Sequence, residues 1–301
     1  MKFITPRVEY WPQEESAMQH IARVGRLCYK SKGKQPPENA TDEERKLFIL
    51  KRDEERCEAF WQSGHRSMFR HGTRYFFVPN EKSLYANNTW STIVASPYIA
   101  HAVKDGRVWI STNMQFLREH GDLYRKLVPY NVDELVFIGR AQLYECPEAL
   151  YLLRMTFVVT TQIATSRELN RTSPNAIAEQ STRYCNLEKK GGVRICQPIW
   201  YAAGTRWQRF LYKTGCRITS WLYNRLLKSG MKPQDARGIL PLDTYTVVAY
   251  TYTLQEWKHI LGLRFYETTG KAHPNAKYIA SEIRHTINER MKIYTTPFTL
   301  L

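Results

Sequence analysis

The twenty residues from Arg167 to Asn186, RELNRTSPNAIAEQSTRYCN, gather three arginines with carboxylates, amides and hydroxyls, and hold very little apolar content. Neither a core strand nor an amphipathic helix needs that composition. Two readings suit it: a polar surface loop, since loops are polar by default, or a surface that grips an anionic, hydrogen-bonding small molecule. Further cations stand at defined places downstream. Arg237 precedes the Pro241 turn, and Arg264 lies toward the end of a helical stretch, where the dipole favours a cation. His65 and His71, six apart, are candidate metal ligands by type. They lack the third protein ligand that a metal site normally needs, so no metal is expected.

Composition narrows the ligand to an anion. The 301 residues include 44 Lys+Arg against 28 Asp+Glu. Nucleic acid is the first partner such a charge suggests, but the basic residues are scattered, with no run of five or more. Scattered positive charge also suits an enzyme whose ligands are all anions, and nucleic acid is not the expected partner. The 19 Tyr, 12 Phe and 8 Trp supply core and interface area and flat faces on which rings can stack. Six cysteines are far apart, without a C-x-x-C pair or a histidine at zinc-finger spacing, which points to reduced thiols. The N-terminus MKFITPRVEYWP has no signal-peptide h-region and nothing approaches a membrane span, so a cytoplasmic protein is expected.

Several elements must position the polar stretch. Residues 13–29 read as a helix with Met18, Ile21, Ala22 and Cys28 near one face. Thr41 and Glu44 form a capping box that opens a second helix, with Leu47, Phe48, Cys57, Phe60 and Trp61 on its apolar side and Ser63-Gly64 at its end. Arg74 to Val78 reads as a strand. Residues 79–150 read as loops with a short helix. Leu152 to Thr161, β-branched and apolar, is a strand that delivers the polar stretch. A long helix over about 204–228 carries Phe210, Leu211, Ile218, Trp221, Leu222 and Leu226 as its expected buried side. Thr244–Thr253 is a strand, Leu254–Tyr266 a helix, and Asn275–Tyr294 a helix whose Ile279, Ile283, Ile287 and Met291 stripe suits a core or a subunit interface. The expectation is one mixed α/β (α+β) domain over residues 1–301, with a central sheet and long helices.

Four segments in this order resemble the flavin-dependent thymidylate synthases. GHRSMFRH at 64–71 is similar to the family's Gly-His-x-Ser/Thr-x-Phe-Glu-His segment. Arg171-Thr172-Ser173, seven residues, then Ser181-Thr182-Arg183 stands where the family has Arg-His-Arg, seven residues, Ser-x-Arg. ARGILPLDTYT at 236–246 is similar to its Ala-Arg-x-x-Leu-Pro turn. WKHILGLRF at 257–265, followed by AHP at 272–274, is similar to its Leu-Arg helix and to the Ala-His-Pro of one branch.

The resemblance implies that dUMP is methylated at C5, with methylenetetrahydrofolate giving the carbon and NADPH the electrons through FAD. It also implies a homotetramer with shared active sites. Carried over by position, Glu179, Gln180, Ser181, Arg183, Arg237 and Arg264 bind dUMP, with Ser181 and Arg264 catalytic. His65, Ser67, Arg70, Arg171, Thr253 and His259 fall on the flavin side. Cys185 is read as structural, since no enzyme thiol attacks C6 in this family. Departures from the family pattern cluster on the flavin and folate side. Thr172 and Ser173 replace its His and second Arg, Arg70 replaces a Glu, and Thr253 stands where many members have Asn. One expectation is that Arg70 restores positive charge near the missing arginine. The altered signature leaves two other readings open. One is C5 modification of another pyrimidine nucleotide, such as hydroxymethylation of dCMP. The other is a catalytically silent nucleotide- or RNA-binding homologue.

Overall fold

The computed structural model describes residues 1–29, 35–85, 88–172, 174–183, 186–187 and 191–292. The chain opens with strands β1 (Lys2–Ile4) and β2 (Arg7–Tyr10), then helices α1 (Ala17–Tyr29) and α2 (Asp42–Gln62). The expected capping box starts α2: Glu44 N–H donates to Thr41 Oγ1, and Thr41 N–H donates to the Glu44 carboxylate, satisfying two helix-end donors. Strand β3 (Thr73–Val78), α3 (Thr89–Ala95), β4 (Ala100–Lys104) and β5 (Arg107–Asn113) follow. Next come α4 (Met114–Glu119), α5 (Gly121–Leu127), β6 (Asn131–Val132), α6 (Glu134–Leu143) and α7 (Pro147–Leu150). Strand β7 (Arg154–Gln162) runs directly into α8 (Ile163–Leu169), then β8 (Ile177–Glu179) and β9 (Arg194–Cys196). The remainder is α9 (Trp200–Ala203), α10 (Arg206–Lys228), α11 (Pro233–Ala236), β10 (Tyr245–Thr253), α12 (Leu254–Arg264) and α13 (Pro274–Met291).

One antiparallel sheet, in the order β2-β7-β10-β8, carries the polar stretch. Its two long strands pair along nine residues, with Phe157 opposite Tyr250 and Thr156 opposite Thr251. Alternation decides what each face meets. Val158 and Ala249 pack with Ile21, Ala22 and Val24 of α1. Phe157, Val159, Val248 and Tyr250 pack with Trp257 and Ile260 of α12 and Ile279, Ile283 and Ile287 of α13. The α13 stripe is therefore core. Trp257 is fully buried and donates its indole N–H to the Met155 carbonyl at 3.2 Å, which clamps α12 to β7.

A second antiparallel sheet, β4-β5-β3-β6, has its own core around Phe76, Val108, Ile110, Phe116 and Leu117. This corrects the expectation of loops with a short helix across 79–150. The β4–β5 hairpin turns on Asp105 and Gly106, with φ of 49° and 72°, the left-handed pair that a two-residue hairpin loop requires. A further short parallel pair joins β1 to β9.

The expected buried side of α10 is also corrected. Trp221 is 58% exposed, Phe210 56% and Ile218 53%, while Cys216, Ser220 and Tyr223 face the interior. Leu47 of α2, expected on an apolar side, is 67% exposed. An apolar stripe is the same sequence signal whether the chain's own core or another surface covers it, so periodicity alone does not separate the two. No helix among the described residues is long and apolar enough to cross a membrane. Cys185, Ser173 and the expected helix end at Tyr294 lie outside the described residues.

Candidate active site

Strand β7 passes without a break into α8, and β8 then lies along β10. This path puts the polar stretch on rigid support, a favourable way to hold ligand groups in place. At the end of β8, Glu179 Oε1 accepts from Ser166 Oγ of α8 at 3.1 Å and from Thr246 Oγ1 of β10 at 2.8 Å. The Ser166 carbonyl in turn accepts from the buried Tyr250 hydroxyl at 3.2 Å. Ser166, Thr246 and Tyr250 were not singled out from sequence, because nothing local marks them as partners of Glu179.

The next residue, Gln180, donates its backbone N–H to Val247 O at 2.9 Å. Its side chain is buried, and its amide oxygen has no hydrogen-bond partner among the described residues. Ser181 N–H donates to Cys28 O at the end of α1, and Ser181 Oγ accepts from Arg183 N–H at 3.2 Å. Arg237 reaches this turn from a distant part of the chain. It donates to Thr182 Oγ1 at 2.7 Å, while its Nε is held by Gln234 O. The structure thus brings Glu179, Gln180, Ser181, Arg183 and Arg237 together, with both arginines exposed.

A second group gathers at the far end of α12. Arg264 is half-buried, its Nε donating to the Glu168 carbonyl of α8 at 2.7 Å. With Arg171, His259, Leu263 and Thr269 it lines an open cleft of about 360 Å³. The Arg171 and His259 side chains have no hydrogen-bond or ion-pair partner among the described residues, and no carboxylate lines the cleft. Such a lining suits an anion. Helix α8 ties the two groups together, since Ser166 holds Glu179 and Glu168 holds Arg264.

The GHRSMFRH segment lies between α2 and β3, with His65 and Ser67 exposed. The His65 ring is within 3.0 Å of Ser63 Oγ. Arg70 is a brace. Its guanidinium donates to Gln115 Oε1 at 2.8 Å, to the Asn175 carbonyl at 2.7 Å and to the Tyr98 hydroxyl at 3.1 Å. Gln115 and Tyr98 belong to the region of the second sheet; Asn175 belongs to the altered signature loop, where it also accepts from Thr172 Oγ1. Thr253 has a local task. Its hydroxyl accepts from Glu256 N–H and donates to the Glu256 carboxylate, forming the capping box that begins α12.

Behind this segment runs a buried polar chain. The His71 ring contacts Thr251 Oγ1 at 2.8 Å, Thr251 contacts Thr156 Oγ1 at 2.7 Å, and Thr156 contacts the His20 ring at 3.1 Å. Burial, reinforced by nearby His20 and Arg154, pushes the His71 imidazole from the ordinary 6.5 down to about 3. With the folded value depressed, the unfolded chain takes up the proton first as pH falls, so stability declines from about 6.5 toward about 3. Melting temperature followed against pH is expected to drop through that window, and less steeply in His71→Gln. An unchanged slope in the variant contradicts this assignment.

Residues 143–291 match the family model described as "Thymidylate synthase complementing protein" (Thy1). A curated relative, the probable flavin-dependent thymidylate synthase of Paramecium bursaria Chlorella virus 1, is 36% identical over 62 residues. That stretch is 21% of this chain and spans only 29% of the relative's length. Among solved structures, the UMP/dUMP methylase PolB from Streptomyces cacaoi bound with 5-Br dUMP aligns over 96% of this chain and 93% of its own. The TM-score is 0.43 and the identity 15%. The same protein bound with 5-Br UMP aligns with a TM-score of 0.43 and 16% identity, over 96% and 92% of the two chains. The matched region takes in Arg171, Glu179 to Arg183, Arg237, Thr253, His259 and Arg264. It leaves out His65, Ser67, Arg70 and the second sheet. Residues 143–291 are thus similar to the thymidylate synthase complementing protein family, and the curated relative matched over 62 residues carries the name of a flavin-dependent thymidylate synthase.

Proposed function

We propose that the protein methylates dUMP to dTMP, with methylenetetrahydrofolate as carbon donor and NADPH as reductant through FAD. The observation that carries this reading is the meeting of Arg237 with the Glu179–Arg183 turn, beside a buried amide oxygen that lacks a donor. Arg183 and Arg237 hold the monophosphate in charge-assisted bonds. Gln180 Oε1 accepts from the imide N–H of the uracil ring, and Ser181 Oγ contacts the nucleotide from the turn. Arg264, with Nε fixed by Glu168, directs its remaining donors at negative charge that develops on a uracil carbonyl.

Arg171 and His259, cationic or neutral donors in a cleft without carboxylates, fit an anionic dinucleotide, and His65 and Ser67 offer exposed donors to the same flavin. When bound, FAD supplies the electrons that reduce the transferred carbon. The described cysteines are all buried; burial pushes Cys57 and Cys196 up to about 12 and raises Cys146 and Cys216 as well. None of these four is an activated nucleophile.

The exposed apolar stripe of α10 supports a homo-oligomer, a tetramer in this reading, because contiguous apolar surface of that kind marks contact faces. Thr172 at the second signature position keeps a second substrate reading in view, C5 modification of another pyrimidine nucleotide such as dCMP. Purified protein reconstituted with FAD is expected to retain a flavin spectrum that dUMP perturbs saturably and dCMP does not. A protein that takes up no flavin overturns the cofactor assignment. Equal responses to the two nucleotides overturn the substrate assignment.

A further inference from the structure

A different cleft, of about 250 Å³, opens at the seam between the two sheets. Its walls include Arg74 on β3 and Glu134 at the start of α6, which lie outside the family match, and Arg154 and Thr156 on β7, which lie inside it. The second sheet thus supplies one wall of this cleft. Arg74 and Arg154 have no side-chain hydrogen-bond or ion-pair partner among the described residues, and the Nε of each is withdrawn from solvent. An unpaired guanidinium donor shielded from water is costly, and here two share one cavity.

The acids around them are differently placed. Glu15 is engaged by His20 and Arg23, and Asp133 caps α6 through Val136 N–H. Glu134 is half-buried beside the Tyr75 hydroxyl, at 3.4 Å. Charges of both signs thus face one cavity without pairing across it. A bare metal cation is opposed by the two arginines, and a bare inorganic anion by the carboxylates. A ligand carrying both signs satisfies both walls. The volume of about 250 Å³ is enough for a free amino acid.

We propose that this cleft binds a free amino acid, its carboxylate held by Arg74 and Arg154 and its ammonium by Glu134. The site is independent of the flavin and nucleotide reading. Calorimetric titration of the full-length protein with glycine, serine, leucine, glutamate and lysine tests it, with methylamine and acetate as the two halves of glycine. At least one amino acid is expected to bind saturably at one per chain. Arg74→Gln and Arg154→Gln each weaken that binding at least tenfold, and neither methylamine nor acetate binds comparably. Both variants are checked for a cooperative melt, and if one fails to fold the other decides. Absence of saturable binding by all five, wild-type affinity in the folded variants, or equal binding of acetate overturns the proposal.

Discussion

Arg237→Ala weakens dUMP binding by about 10- to 100-fold, and Arg183→Ala does the same, with the melting temperature of each nearly unchanged. The magnitude follows from one charge-assisted hydrogen bond, worth about 1.5–3 kcal/mol, at about 1.4 kcal/mol per tenfold. Both side chains are exposed, so truncation leaves no cavity and no buried group without a partner. Arg237 has a second task, since its bond to Thr182 steadies the turn that carries Arg183. Arg237→Lys keeps the charge but loses the fork, and it is expected to fall between wild type and Arg237→Ala. Calorimetry with dUMP reads all three. Wild-type affinity in Arg237→Ala places the phosphate elsewhere.

Arg70→Glu is expected to release the signature loop. The substitution removes three hydrogen bonds and sets a carboxylate against the Asn175 carbonyl. Loss of a charged hydrogen bond is worth about 1.5–3 kcal/mol. FAD affinity should therefore fall by at least about tenfold. A flavin-independent readout accompanies it: trypsin should cut after the exposed Arg171 faster than in wild type. Arg70→Gln, which is neutral and able to keep one bond, should show both effects more weakly. Ser173, at the position of the missing arginine, lies outside the described residues, and the Arg70 guanidinium is engaged in fixing backbone and side chains. Unchanged flavin retention in Arg70→Glu refutes the brace.

Much of the scaffold is legible in local pattern. Thr41 with Glu44 marks the start of α2, and the β-branched run before Gln162 marks β7. The alternation in β10 and the Ile279, Ile283, Ile287 stripe foretell the two faces of the central sheet. Asp105-Gly106 between alternating residues is an equally local hairpin signal, which reading 79–150 as loops passes over. Thr253 with Glu256 is a capping box too, although resemblance alone assigns that threonine to the flavin. Other features have no local signature. Arg70 finds Tyr98 and Gln115 across 28 and 45 positions, and Arg237 finds Thr182 across 55. Those pairings exist only once both sheets are folded. The exposure of Trp221 and Phe210 belongs to the same class, because an apolar stripe reads alike in sequence whether or not the chain's own core covers it.

The most direct test of the methylation reading is the mass of the nucleotide recovered after incubating the protein with dUMP, methylenetetrahydrofolate, FAD and NADPH. The prediction is a product one methylene heavier than dUMP that comigrates with dTMP and is lost when NADPH or the folate is omitted. Recovery of unaltered dUMP from flavin-loaded protein contradicts it.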